Sequence, residues 1–521
     1  MGNYLNPGNK LLKMALSSQI YVDKTEMISY TNHVICTEQR YICVSRPRRF
    51  GKSMAVNMLT AYYSKGCDSE ELFTDKKIAK CESYEEHRNK YNVLYLNMQE
   101  FLSKEKTIDE MFSFIAKVFV KEVRKEFPDI DFLDETDLGW SIADAYQESQ
   151  IPFVILIDEW DCIFREYKDN RAEQERYLDL LRAILKDKEY VALAYMTGIL
   201  PIKKYGTHSA LNMFDEFTMT DPRGLAEYVG FTAKEVQELC EEYHMDYEEA
   251  KSWYNGYSFY RAPEIYSPKS VVSAMITGKY SDYWNQTETF NALKMYIEMN
   301  FDGLRDAVIR MLAGFRKKID IRRYTNDMVT FGGYEAVLTL LIHLGYLAYD
   351  MDREEVYIPN KEISREFVSA LSDAEWGTVV QSIKKSDSLL EAIWQGNEQV
   401  VASAMEQAHY ETSILQYNDE NALSYTISLA LYAAREYYTV IREMPAGKGF
   451  ADMVFLPKKN HLDKPALLVE LKWDKDADTA IKQIEDKNYT GVLQDYIGKI
   501  MTVGINYDKS TKAHECVISR Q

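Results

Sequence analysis

The sequence predicts an α/β chain in three parts: an N-terminal parallel sheet with helices on both faces, a helical and winged-helix-like middle, and a C-terminal α/β domain. Three observations carry this. Over 1–221 short apolar runs alternate with amphipathic stretches, the pattern of parallel strands buried on both faces. Over 222–409 helical spacing dominates, and over 410–521 strands return around a further helix. At 521 residues the chain is also too long for one core.

The elements follow in order. Tyr41–Ser45 is a short apolar run suited to a buried strand, and Met54–Tyr63 reads as a helix behind a loop at Arg46–Ser53. Val93–Asn97, Ile151–Ile157 and Val191–Met196 are further strands, and Ile108–Lys125 has helical spacing. In the middle, a helix over Phe331–Gly345 leads into a strand pair, Tyr346–Asp350 and Glu355–Ile358, read as a packing spacer in preference to a DNA reader. The run Trp253–Tyr257 reads as a packed turn bending at Asn255-Gly256. Then come a helix over Leu423–Tyr438, strands over Ala451–Leu456 and Ala466–Lys472, a helix over Asp478–Asn488 and a last strand within Lys499–Tyr507.

Composition excludes several classes. No uncharged apolar stretch is long enough to span a bilayer, and the start lacks the pattern of a secretory signal. The seven cysteines are scattered without a C-x-x-C pair, which speaks against a disulfide framework or a zinc site and fits a reducing cytoplasm. The 62 basic and 81 acidic residues leave a net charge of −19, which argues against non-specific coating of nucleic acid but not against one local basic channel.

Arg46-Pro47-Arg48-Arg49-Phe50-Gly51-Lys52-Ser53 lies between a strand and a helix, the setting in which backbone N–H groups and a helix N-terminus cradle phosphates. Arg49, Phe50 and Gly51 would form the cradle, Lys52 would reach the β- and γ-phosphates of ATP, and Ser53 would hold Mg²⁺. Arg46 stands where the usual pattern has its first glycine; it and its neighbours would touch phosphates or form a solvated basic rim. Val154–Ile157 then runs into Asp158 and Glu159, the first to hold Mg²⁺ and the second to act on the attacking water, and Thr197 ends the next strand as a γ-phosphate sensor. Either motif alone is weak; the two in this order are specific.

The second constellation is Asp452 followed by Glu470-Leu471-Lys472. Alternate strand residues share a face, so Glu470 and Lys472 project together while Leu471 packs inward. Asp452 and Glu470 make a hard oxygen site for Mg²⁺ or Mn²⁺, and Lys472 would position a water for attack on a phosphodiester. Glu420 on the preceding helix is a candidate outer metal ligand, and Gln483 and Tyr489 are candidates for nucleic-acid phosphate. E-x-K alone carries nothing; the ordered set does.

These residues resemble bacterial proteins that join an AAA-ATPase-like domain to a PD-(D/E)xK nuclease-superfamily domain. The likeness rests on Tyr21–Thr25, Arg46–Ser53, Asp158–Asp161, Thr197-Gly198 and Trp253–Tyr257. It continues in Leu344–Leu347, Ile358–Asn360, Gly447–Asp452 and Glu470–Lys472. The eight-residue loop starting at Arg46 is usual there; Phe450 departs from the Arg common two places before the motif Asp. The resemblance implies a restriction-endonuclease-like C-terminal domain, ATP and a divalent cation as cofactors, and nucleic acid as partner, DNA ahead of RNA. It also implies a homo-oligomer and, by analogy alone, defence against mobile DNA. The expected function is a nucleotide-gated nuclease; the alternative is an ATP-dependent switch whose nuclease fold is inactive and only binds nucleic acid.

Overall fold

The computed structural model describes every residue except 1, 105–106, 203–210, 260–261, 285–288, 300, 327, 373–376, 412–419, 447–448, 474–476, 478–499, 512 and 521. Within helices and strands the side chains of 263, 289–292, 323, 377–379, 411, 420–422, 445–446 and 449–450 also lie outside the description. The chain forms two compact units: Met1–Thr287 with Lys318–Ile363, and Glu288–Lys317 with Ser364–Gln521. The region 222–409 is thus shared between them.

The first unit is built on five strands: β1 (Tyr41–Ser45), β2 (Asn92–Asn97), β3 (Phe153–Asp158), β4 (Val191–Gly198) and β5 (Asp215–Phe217). Their spatial order is β2-β3-β4-β1-β5, and every pairing is parallel. β1, β3 and β4 are buried along their whole length, which requires helices over both faces. β1 lies between β4 and β5, so the chain leaves its carboxyl end where strand order reverses, the usual place for a ligand crevice. β5 escapes sequence reading because three residues, Asp215-Glu216-Phe217, carry no periodicity.

Elsewhere in this unit Phe231–Thr232, Ala262–Tyr266 and Tyr257–Phe259 form a small antiparallel sheet. The helix Tyr334–Leu344 and the hairpin Ala348–Asp350/Glu355–Tyr357 match the winged-helix-like expectation. Gly256 takes φ +114° at the bend of the Trp253–Tyr257 turn, and a Cβ there would collide with the Pro359 carbonyl.

The second unit carries a five-stranded sheet ordered Tyr438–Ala446, Gly449–Pro457, Ala466–Trp473, Ile500–Asp508, Ala513–Arg520. Ala466–Trp473 and Ile500–Asp508 pair in parallel, and the other described pairings of this sheet are antiparallel. The helix expected between those two strands, Asp478–Asn488, lies outside the described residues, as do Gln483 and Tyr489. Leu467, Val469 and Leu471 pack with Met453, Val503 and Ile505 against helical Leu390, Ile393, Met405, Leu423 and Ile427.

One element differs from expectation. The helix read over Leu423–Tyr438 is two helices, Glu420–Ala430 and Ala434–Tyr437, and a strand starts at Tyr438. The β-branched run Thr439-Val440-Ile441 favours a strand, and pairing with Gly449–Pro457 fixes it. Two half-buried arginines finish this corner: Arg435 donates to the Leu312 carbonyl at 2.7 Å and Arg442 to those of Ala313 and Gly314. They cap the C-terminus of the helix Leu304–Leu312, where cations are favoured.

All seven cysteines are free thiols. Among the described residues no helix is long and apolar enough to cross a membrane.

Candidate functional site

The loop after β1 passes directly into the helix Lys52–Tyr63. Arg49 and Gly51 both adopt left-handed backbone, at φ +70° and +95°. Such reversals turn successive N–H groups inward, which suits anions. Nothing lies within 4 Å of where a Gly51 Cβ would stand, so that side of the loop is open. Lys52 folds back: its Nζ donates to the carbonyls of Arg46 (3.0 Å) and Pro47 (2.9 Å). Burial lowers its pKa, offset by Glu159, Asp161 and Asp158 in that order.

Ser53, the first helical residue after Lys52, lies near enough to the Asp158 carboxylate to favour its charged form. The two candidate Mg²⁺ ligands therefore come close, although they lie far apart in sequence. Burial raises the Asp158 pKa, with Ser53 acting against it. Glu159 has left-handed backbone, φ +53°, and its carboxylate pairs with Arg165. A non-glycine residue held in that region needs support from its surroundings. Here the next peptide supplies it, since the Trp160 N–H donates to the Thr197 carbonyl at 3.1 Å. Thr197 stands beside Asp158 and Val44 in the sheet, fully buried, its hydroxyl donating to the Val44 carbonyl at 2.9 Å. It would reach a γ-phosphate only by leaving that bond.

Three loop side chains differ from a simple cradle. Arg46 is completely buried, so it is not part of a solvated rim. It donates to the Ser45 and Phe217 carbonyls and lies over the Phe259 ring. Arg49 donates to the Tyr283 carbonyl at 3.0 Å. The Phe50 ring is buried edge-on against Tyr257 and Trp284, which leaves its backbone N–H as the group suited to a phosphate. Arg165 has no place in the sequence reading, and Asp161 enters it only within the run Asp158–Asp161, with no role of its own. Asp161 accepts the N–H groups of Ile199 and Leu200 at 3.0 and 2.9 Å, tying β3's end to β4's, and Arg165 sits four residues on. That i, i+4 acid–base spacing was the available signal.

In the second unit the strands bearing Asp452 and Glu470 pair antiparallel at Met453–Val469. The next step of that register sets 452 against 470. Asp452 Oδ2 accepts the Leu471 N–H at 2.7 Å, and the Asp452 charge helps burial raise the Glu470 carboxyl to about 7. Lys472 Nζ donates to Glu470 Oε1 at 3.1 Å and to the Leu471 carbonyl at 2.9 Å. Glu470 and Lys472 are only 1% and 5% exposed. On the other side, the pairing with Tyr438–Ala446 runs through Arg442–Met453 and Met444–Ala451. The residue between, Glu443, has φ +48°, so the backbone is distorted opposite the motif Asp.

The donor set fits a hard divalent cation: two carboxylates and the Leu471 carbonyl come together on two neighbouring interior strands of the sheet. Among the described residues no group of three or more His, Cys, Asp or Glu is placed so as to hold a metal ion. Glu420 begins its helix, and its side chain is outside the description.

Residues 10–207 match the family model described as Predicted AAA-ATPase, and residues 420–516 that of the PD-(D/E)XK nuclease superfamily. A curated relative, "Uncharacterized protein in vnfD 5'region" of Azotobacter chroococcum mcd 1, is 24% identical over 286 residues. That match covers 52% of this chain and 51% of the relative, so the chain spans about half the length of the curated relative it matches. Two solved structures from Aeropyrum pernix are similar at low identity. The ORC2 protein (ADPNP-ADP complexes) has 9% identity and a TM-score of 0.32, covering 68% of this chain and 96% of its own. The ORC1 protein in complex with DNA has 10% identity and a TM-score of 0.24, covering 95% and 100%.

Proposed function

We propose that this chain, which joins an AAA-ATPase-like region to a PD-(D/E)XK superfamily domain, binds and hydrolyses ATP and cuts nucleic acid under control of the nucleotide. The observation that carries the reading is the buried Glu470–Lys472 pair on one strand, with Asp452 of the neighbouring strand bonded to the Leu471 N–H between them and its charge felt at Glu470. A structural surface pair would not be this buried.

In the first unit Lys52 exchanges the Arg46 and Pro47 carbonyls for phosphate oxygens, while the 51–53 backbone cradles them. Ser53 and Asp158 hold the Mg²⁺ of the nucleotide, and Glu159 takes the proton of the attacking water once its carboxylate leaves Arg165. In the second unit Asp452 and Glu470 hold Mg²⁺ or Mn²⁺. The cation supplies charge neutralisation at the scissile phosphate when bound. Lys472 balances Glu470 at rest and orients the water in the reaction. DNA is the favoured substrate, a homo-oligomer the favoured assembly, and defence against mobile DNA the favoured role.

The test is cleavage of a panel of DNA and RNA substrates with Mg²⁺ or Mn²⁺, with and without ATP. A second reading has one observation in its favour: Lys472 and Glu470 close on each other in a nearly solvent-free position, as in a nuclease fold that only binds. The same assay separates them, since that protein binds the substrates and cuts none.

A further inference from the structure

Glu362 is a completely buried acid whose bonds lead to the phosphate loop. It lies at the start of the helix Lys361–Ser372, more than 300 residues after that loop. Its Oε1 accepts two consecutive backbone N–H groups, those of Tyr283 (2.7 Å) and Trp284 (2.9 Å). Its Oε2 accepts the Ser270 hydroxyl at 2.9 Å. Burial raises its carboxyl to about 7 against the pull of these bonds, so the charged form is costly here. An apolar side chain would fill the space at lower cost. What the acid adds is a grip on two adjacent amides.

The gripped segment touches the loop at both residues. The Tyr283 carbonyl accepts Arg49 Nη1 at 3.0 Å. The Trp284 ring meets the Phe50 ring edge-on at 6.5 Å between centroids. Arg49 needs outside support, because its backbone is left-handed at φ +70°. Arg49 and Phe50 immediately precede Gly51 and Lys52, so a shift in their anchor moves the groups that would meet phosphate.

We propose that Glu362 is a positioning residue of the nucleotide site: by holding the Tyr283–Trp284 segment it sets Arg49 and Phe50, and through them the phosphate-binding backbone. The proposal rests on reading residues 46–53 as the nucleotide site. Glu362 touches no phosphate itself.

The experiment measures Mg²⁺·ATP affinity of the full chain by calorimetry for wild type, Lys52→Ala, Glu362→Gln, Glu362→Ala, Arg49→Ala and the double variant Arg49→Ala/Glu362→Ala. Glu362→Gln stays within about twofold of wild type, because its amide oxygen accepts both N–H groups and its NH₂ donates to Ser270. Glu362→Ala weakens binding about tenfold, but by no more than about threefold in the Arg49→Ala background, since the shared path is already cut. Wild-type affinity in Glu362→Ala, or effects that multiply in the double variant, overturns the proposal and leaves Glu362 a plain core residue. Should Glu362→Ala not fold, Glu362→Asp, one methylene too short for both amides, must give the same ordering. If Lys52→Ala binds ATP like wild type, the nucleotide reading itself fails. Hydrogen exchange of the 48–53 amides without nucleotide then decides: faster exchange in Glu362→Asp than in Glu362→Gln supports the positioning role, and equal exchange overturns it.

Discussion

Asp452 and Leu471 are joined across two neighbouring strands, the Asp452 carboxylate accepting the Leu471 N–H at 2.7 Å. The motif acid is therefore also a structural acceptor for the strand that carries Glu470 and Lys472. Asp452→Ala leaves that N–H without its acceptor and lowers unfolding free energy by about 1–2 kcal/mol, whereas Asp452→Asn retains an acceptor oxygen and most of the stability. Urea melts of the two variants check this. Both lose metal-dependent activity, so comparing them separates fold from chemistry.

Glu159→Gln keeps ATP affinity near wild type and lowers ATP turnover by about 100-fold or more, because the lost group acts on water and not on the nucleotide. Lys52→Ala does the opposite and loses affinity. Calorimetry with a steady-state phosphate-release assay reads both. Wild-type turnover in Glu159→Gln means that another base serves.

Gly345 has φ +87°, and a Cβ there would stand 2.8 Å from Pro47 of the phosphate loop and 3.0 Å from Trp284. Its carbonyl accepts the Tyr257 hydroxyl at 2.6 Å. Gly345→Ala therefore costs stability twice over, by about 2 kcal/mol or more from backbone strain and overpacking. It also weakens ATP binding, because relief of the clash moves Pro47. A thermal melt and an ATP titration check the pair of effects.

Glu362 titrates with a definite sign. Its folded carboxyl is raised from 4.5 to about 7 by burial, with the Asp282 charge adding to the rise and the bonds from Tyr283, Trp284 and Ser270 opposing it. A raised carboxyl contributes stability that is full below about pH 4.5 and is lost as pH climbs through about 7, a change of about 3 kcal/mol at most. Glu362→Gln lacks this dependence. The variant gains on wild type between pH 5 and 8, and the gap narrows on acidification; parallel melts across that range test it. A constant gap contradicts the burial account.

Much of this was readable from sequence, for physical reasons. β1 and the helix after it stand out because Tyr41–Val44 is an apolar run and Gly51-Lys52-Ser53 marks the junction. Glu470 and Lys472 could be set on one face, with Leu471 in the core, from strand alternation alone. The expected helix Leu423–Tyr438 overruns the true one because no glycine or proline marks the break after Ala430, and the strand Tyr438–Ala446 that follows has no counterpart in the sequence reading. β5 was too short to leave a pattern. The anchoring of Arg49 and Phe50 by Tyr283, Trp284 and Glu362 was out of reach, since nothing local links a loop near residue 50 to an acid at 362. For the same reason the Thr197 hydroxyl bond to Val44, 153 residues away, emerges only from tertiary structure.

The most direct measurement is the initial rate of Mg²⁺-dependent cleavage of a labelled DNA duplex and single strand, with RNA in parallel, by wild type, Glu470→Ala and Lys472→Ala, each with and without ATP. The account predicts cleavage by wild type at a rate that changes with ATP. It predicts a loss of about 100-fold or more in both variants, with metal binding lost in Glu470→Ala and kept in Lys472→Ala. Cleavage by either variant at the wild-type rate, or no cleavage of any substrate by wild type with Mg²⁺ or Mn²⁺, contradicts it.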